Sequence, residues 1–233
     1  MKKILLTLLM VAMASSSFAV VEGSKHDMRI LDSDAEVRIC AYCHTPHHAN
    51  VTGGYKPLWS HDLSIQTFVP YESDTFNGDD LGAIDPMAGP SLLCMSCHDG
   101  AIAPDAYYGD PGGNIGVEAD VWNGYGVGQF GDMTNDHPIG FDYTYSYAND
   151  TGMSTDTAVF AELRDPAATL ASQTSDVYAI TKIEDVLLNE KIMTCASCHD
   201  VHNRDPLGYN AADGYFLYGQ QQDSQVCTMC HVK

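Results

Sequence analysis

The eight cysteines of this 233-residue chain fall in pairs three residues apart, and a histidine follows the second member of every pair. The four copies are Cys40-Ala-Tyr-Cys43-His44, Cys94-Met-Ser-Cys97-His98, Cys195-Ala-Ser-Cys198-His199 and Cys227-Thr-Met-Cys230-His231. Thiols at that spacing add across the two vinyl groups of a porphyrin. The adjoining imidazole then stands beneath the iron as its proximal ligand, and CxxCH is the attachment signature of haem c. Other uses of these cysteines fit worse. A disulfide framework has no reason to set a histidine after every second cysteine. A zinc ribbon takes two CxxC pairs per metal and leaves the following histidines idle. A thioredoxin-like dithiol belongs to one strand–helix unit and does not recur at scattered positions. The pattern implies four covalent haem c groups with no cysteine left over.

Each low-spin iron needs a ligand on its other face. Six histidines lie outside the motifs: His26, His47, His48, His61, His137 and His202. That supply suffices without methionine. Met28, Met87, Met133 and Met153 are chemically able to ligate and would raise the potential, but unbranched methionine more often fills a core. His47 lies three residues beyond His44 and cannot easily turn back to the far face of the same porphyrin, so it reaches for a neighbouring one. His202 stands in the same relation to His199. His137 precedes Pro138, which holds the backbone extended at that point.

The elements that must position these residues are sparse. Asp32–Ala35 reads as a helix start leading into the first motif. Stretches rich in Gly, Pro and Asp at Gly53–Pro57, Asn77–Pro90 and Tyr108–Gly116 read as loops or turns. Phe141–Tyr147 alternates large and polar residues with the period of a half-exposed strand. Ile183–Met193 carries apolar residues at helical spacing and is expected to feed the third motif as a helix. Periodic segments are otherwise few. Buried porphyrins supply apolar area that side chains normally provide, and the thioether links shorten the loops of the unfolded chain. The expected fold is therefore a multihaem cytochrome c: mostly irregular chain, with short helices and a few short strands, wrapped around a row of four haems.

The first nineteen residues read as a signal peptide. Lys2 and Lys3 form a positive start, Ile4–Ala14 an apolar stretch too short for a full membrane span, and Ser17-Phe18-Ala19 a small-x-small cleavage site. Residues 20–233 would form one tetrahaem domain, without a transmembrane span. The alternative is an uncleaved anchor. The formal charge is −20, and cleavage would leave 9 basic against 31 acidic side chains. That balance argues against nucleic acid and anionic lipid surfaces, which attract Lys and Arg. It suits solubility, and it is compatible with cationic partners or metal ions.

Several segments together carry a resemblance. These are Gly23-Ser24-Lys25-His26-Asp27, the first motif continued through Thr45-Pro46-His47, Pro57-Leu58-Trp59, Pro90–Gly100, Asp136-His137-Pro138 and Cys198-His199-Asp200-Val201-His202-Asn203. The chain resembles exported multihaem c-type cytochromes of metal-reducing bacteria, over most of its length after the signal peptide. In length and haem count it is similar to the filament-forming tetrahaem outer-membrane members. The resemblance implies bis-histidine ligation, with His26, His47, His137 and His202 as distal ligands. It also implies head-to-tail polymerisation into a conductive extracellular filament, in which one subunit lends a histidine to a haem of the next. His48 stands where that family would carry Asn, which leaves His47 and His48 as rivals, and His61 has no clear counterpart.

Two functional classes follow. One is an electron conductor, not an enzyme, exported to the cell surface or beyond (alternatively periplasmic), which passes electrons from a redox donor to an extracellular acceptor. The other is a reductase of a small oxyanion such as nitrite. Substrate activation needs an open coordination position, and here enough histidines exist to close all of them. A discrete soluble shuttle shares the conductor's chemistry and differs in assembly.

Overall fold

The computed structural model describes residues 21–30, 38–50, 57–74, 76, 78, 84–112, 126–150, 162–170, 180–202, 216–219 and 221–232. The signal-peptide reading, the helix start at Asp32–Ala35, Met153 and most of the Gly53–Pro57 loop lie outside them. Irregular chain dominates. Three α-helices stand among the described residues: α1 (Pro90–His98), α2 (Tyr143–Asp150) and α3 (Gln225–Thr228), with single turns of 3-10 helix between them. Strand pairing among these residues is confined to isolated bridges, such as His44 with Trp59 and His199 with Leu217.

The sequence explains α1 well. Pro90 sits in its first turn, where the missing N–H costs nothing. Gly89 ahead of it adopts φ 52°, and the Leu188 side chain occupies the space where a Cβ would go. On α1 the spacing i, i+3, i+4 sets Cys94, Cys97 and His98 along one face.

Two expectations fail. Phe141–Tyr147 is not a strand; from Tyr143 it is α2. The Asp142 carboxylate accepts from the Tyr145 amide at 3.0 Å and from the Thr144 hydroxyl at 2.6 Å. That is the bonding of a helix N-cap, and it satisfies donors that a strand would leave open. Tyr143 and Ser146 are then buried on one face, a period of three where the sequence suggested two. The other failure is the helix expected at Ile183–Met193. Helical turn persists only over Ile183–Val186. Leu188 and Ile192 then pair across a tight reversal, with mutual N–H···O bonds of 2.9 Å. Asn189 and Glu190 within it adopt φ 53° and 61°. The reversal lets Ile183, Val186, Leu187 and Met193 all enter one apolar cluster with Phe141, Tyr143, Leu170, Tyr218 and Met229. Tertiary burial outweighs the local helical spacing here.

Gly140 ties this cluster to the segment after His137. Its N–H donates to the Met193 carbonyl at 2.7 Å, its own carbonyl accepts from the Asp85 amide at 3.1 Å, and φ is 82°. A Cβ at this position would collide with the Asp85 carbonyl, so glycine is required. No helix among the described residues is long and apolar enough to cross a membrane.

Candidate functional site

All four motifs fold as one helical turn. The second lies on α1. In the first, third and fourth, the histidine amide bonds back to the carbonyl of the leading cysteine: His44 to Cys40 at 2.8 Å, His199 to Cys195 at 3.1 Å and His231 to Cys227 at 2.9 Å. The turn places both thiols and the imidazole on one side.

These three motifs also share an exit. Each histidine forms an isolated antiparallel bridge to a remote residue: His44 to Trp59, His199 to Leu217 and His231 to Leu163. Two backbone bonds flank each bridge. They are Thr45 N to Leu58 O (2.8 Å) with Ser60 N to Cys43 O (3.0 Å), Asp200 N to Phe216 O (2.8 Å) with Tyr218 N to Cys198 O (3.0 Å), and Arg164 N to Cys230 O (2.8 Å) with Val232 N to Glu162 O (2.8 Å). Sequence reading missed the bridging segments, since pairing between residues so far apart leaves no periodic trace.

The motifs also touch one another. The Cys94 and Cys195 thiols hydrogen-bond, which pushes Cys94 up and draws Cys195 down. The Ser91 hydroxyl accepts from the Cys195 amide at 3.1 Å, so α1 packs on the third motif. Burial raises the thiols of Cys43 and Cys230 to about 11 and that of Cys198 to about 12. Those thiols rest neutral at pH 7, unlike reactive or metal-bound thiolates. None of the eight cysteines is in a disulfide.

The histidines outside the motifs sort into two groups. Three of them face a motif histidine. His26 lies 6.0 Å from His98 between ring centroids, His202 lies 6.1 Å from His44, and His137 lies 6.3 Å from His231. A metal–imidazole bond is about 2 Å, and a ring centroid lies about 1 Å beyond its nitrogen. Two imidazoles on opposite faces of one iron therefore hold their centroids roughly 6 Å apart. Orientation is supported from behind. The Nδ1 atoms of His44 and His137 donate to the carbonyls of Pro57 at 2.7 Å and Pro138 at 3.0 Å, which puts the ring proton on Nδ1 and leaves the lone pair on Nε2, the tautomer a metal ligand needs. Burial, reinforced by nearby His98, His199 and His202, lowers His26 to about 4, so its ring is neutral and able to donate a lone pair.

The other three histidines are arranged differently. His61 is 1% exposed, with Nδ1 2.9 Å from the Asp62 carbonyl and Nε2 3.1 Å from that of Ala103, so both nitrogens face backbone carbonyls and the neutral ring donates to one of them. His47 and His48 are exposed at the turn after the first motif. His48 has φ 59°, a region in which Asn, Asp and His are enriched, and its ring meets Tyr108 at 6.1 Å. Met133 is buried with Phe68 and Met95 as apolar filler.

Buried polar atoms test whether a haem suits these residues. Among the described residues, the atoms buried without a hydrogen-bond partner are His26 Nδ1, Trp59 Nε1, Asp99 Oδ2, Gln129 Nε2, Thr194 Oγ1 and Asp200 Oδ2. All but Gln129 adjoin a motif in sequence or face its histidine. Buried groups are rarely left unpaired, and a propionate carboxylate would satisfy the Trp59 and Thr194 donors. The motifs and these two donors fit the group, whereas the Asp99 and Asp200 oxygens are acceptors that a propionate does not satisfy. No group of three or more His, Cys, Asp or Glu among the described residues converges as a bare-ion site. No protein-family model matches the chain, and no curated protein matches it.

Proposed function

We propose that this chain is an exported tetrahaem c-type cytochrome that conducts electrons through bis-histidine haems to an extracellular acceptor. The observation that carries the reading is the meeting of His26, His202 and His137 with three motif histidines at 6.0–6.3 Å. When bound, haem supplies a one-electron couple at iron, tuned by its axial ligands and burial. The chain's own residues would hold each porphyrin by two thioethers and would supply a second imidazole to three of them, keeping water and substrates off those metals, while the haem held by His199 would take its second ligand from another copy. Closing the second face in this way favours conduction over oxyanion reduction. His98 with His26, His44 with His202, and His231 with His137 are the assigned pairs. The proximity of Cys94 and Cys195 would place the attachment points of the second and third haems side by side.

Assembly follows the family resemblance. His47, exposed beside the first motif, is the ligand offered to a haem of a second copy, with His48 as its rival. Lending a ligand across a head-to-tail contact builds an open fibre when the rotation does not close into a ring. The test is protein matured with its haem-attachment machinery. Its denatured mass should exceed the polypeptide by four haems, its spectra should be wholly low-spin, and electron microscopy should show filaments. Fewer haems, or a high-spin fraction with ready CO binding, would overturn the bis-histidine conductor. The His47→Ala variant should keep four haems but lose filaments; normal filaments from it would pass the role to His48.

A further inference from the structure

His26 sits in a segment, residues 21–30, that is closed almost wholly by its own hydrogen bonds. The Ser24 hydroxyl donates to the Val21 carbonyl at 2.6 Å and accepts from the His26 amide at 3.1 Å. Asp27 accepts from the Gly23 amide at 2.9 Å, while the Arg29 guanidinium grips it two-handed, Nε to Oδ1 at 2.8 Å and Nη2 to Oδ2 at 2.7 Å. Asp27 is 3% exposed. No apolar side chain of the Met28–Ile30 turn is buried, and Ile30 is 65% exposed. The ring contacts that join this segment to the body run through His26, which meets Phe216 at 4.9 Å and His98 at 6.0 Å, and the Met28–Ile30 turn also lies against the Ile39–Tyr42 turn.

A buried carboxylate with three charge-assisted or backbone donors is an investment that a surface turn does not need for its own sake. Its partners lie on both sides of position 26, so the ring between them loses its freedom to swing away. We infer that the Asp27–Arg29 fork is a positioning device that holds the His26 imidazole at the iron of the haem bound by His98. The inference rests on the bis-histidine reading above. A bidentate pair fixes an angle as well as a distance, which a lysine at position 29 cannot do. The sequence shows only a basic residue two places after an acidic one, a spacing with no diagnostic value.

Dissociation of a distal imidazole is what lets CO reach a six-coordinate ferrous haem, so CO association in the intact, haem-loaded protein reports how firmly His26 is held. His26→Ala should open one haem fully to CO. Asp27→Asn keeps the size of the side chain but loses its charge, and should raise the CO association rate at that one haem by about tenfold, the scale of losing one charge-assisted bond. Arg29→Lys should give a smaller rise, with thermal unfolding unchanged. A CO rate in both Asp27→Asn and Arg29→Lys equal to that of the parent, with His26→Ala opening a haem, would overturn the positioning role while leaving His26 as a ligand. If His26→Ala opens no haem, the ligand assignment itself is wrong and the positioning role goes with it. Should Asp27→Asn fail to mature, the Arg29→Lys rate alone decides between these outcomes.

Discussion

The first and fourth motifs have the same local fold and very different surroundings. Each is one helical turn followed by an antiparallel bridge, from His44 to Trp59 and from His231 to Leu163. The fourth is embedded in apolar packing. Met229 and Cys230 belong to the cluster built around Tyr143 and Ile183. The Tyr143 hydroxyl lies 2.8 Å from the Arg164 carbonyl and 3.2 Å from that of Cys230, and Arg164 Nε donates to Thr228 O at 2.8 Å. Burial pushes the Tyr143 phenol well up, so it stays a donor. The first motif has polar ties instead. Ser60 donates to the carbonyl of Ala41 at 2.7 Å, His61 spans two carbonyls, and Tyr42 packs on Tyr107 at 4.7 Å. The leading cysteine is exposed in both motifs, Cys40 and Cys227, so the contrast lies in what holds the rest of each turn. The turn is a property of the motif; how firmly it is held is a property of what surrounds it.

Changing the packed side should have the largest effect. Tyr143→Ala removes a fully buried ring and should cost about 3–5 kcal/mol of unfolding free energy in denaturant titration. Ser60→Ala, on the first-motif side, should cost about 1 kcal/mol. Equal losses would erase the contrast.

Hydrogen exchange sharpens it without mutation. The amides of Cys230 and His231 should be protected longer than those of Cys43 and His44, although all four make bonds of 2.8–3.2 Å. The reverse order would mean that the first motif is held by contacts other than those described.

The two sites also differ in imidazole orientation. His137 and His231 are inclined at 78°, whereas His44 and His202 are inclined at 25°. Nearly perpendicular axial rings leave the iron orbitals close in energy and give an axial low-spin EPR signal; nearly parallel rings split them and give a rhombic one. His137→Ala should delete an axial component and His202→Ala a rhombic one. Loss of the same component in both variants would break the pair assignments.

The smallest effect belongs to Asp185, which caps the turn feeding the packed side. The amides of Thr181 and Lys182 each donate to its carboxylate at 2.8 Å and hold it below the ordinary carboxylate range. A carboxyl with a lowered folded value adds stability at neutral pH and loses it as pH falls through that lowered value. Asp185→Asn should therefore slightly reduce stability near pH 7 and flatten its decline in acid. A steeper acid decline in the variant would contradict the cap.

The amino-acid sequence alone determined what is chemically local. CxxCH names the residues that would attach a porphyrin, and its spacing closes one helical turn whatever lies around it. Pro90 after Gly89 marks the start of α1 for the same reason, because proline's ring and glycine's freedom act within a few bonds. The count of spare histidines follows from composition. Tertiary structure decided the rest. Whether Phe141–Tyr147 became strand or helix turned on the Asp142 cap and on where Tyr143 could be buried, two effects that alternation along the chain does not register. Ile183–Met193 has helical spacing, yet it folds back at Asn189 because reversal buries more of its apolar residues than continuation would. Which spare histidine faces which motif depends on chain brought together from as far apart as His44 and His202, and no short-range pattern encodes it. His61 shows the same limit from the other side. In sequence it is one more imidazole in a chain of ligands, and only the carbonyls of Asp62 and Ala103 on its two nitrogens set it apart.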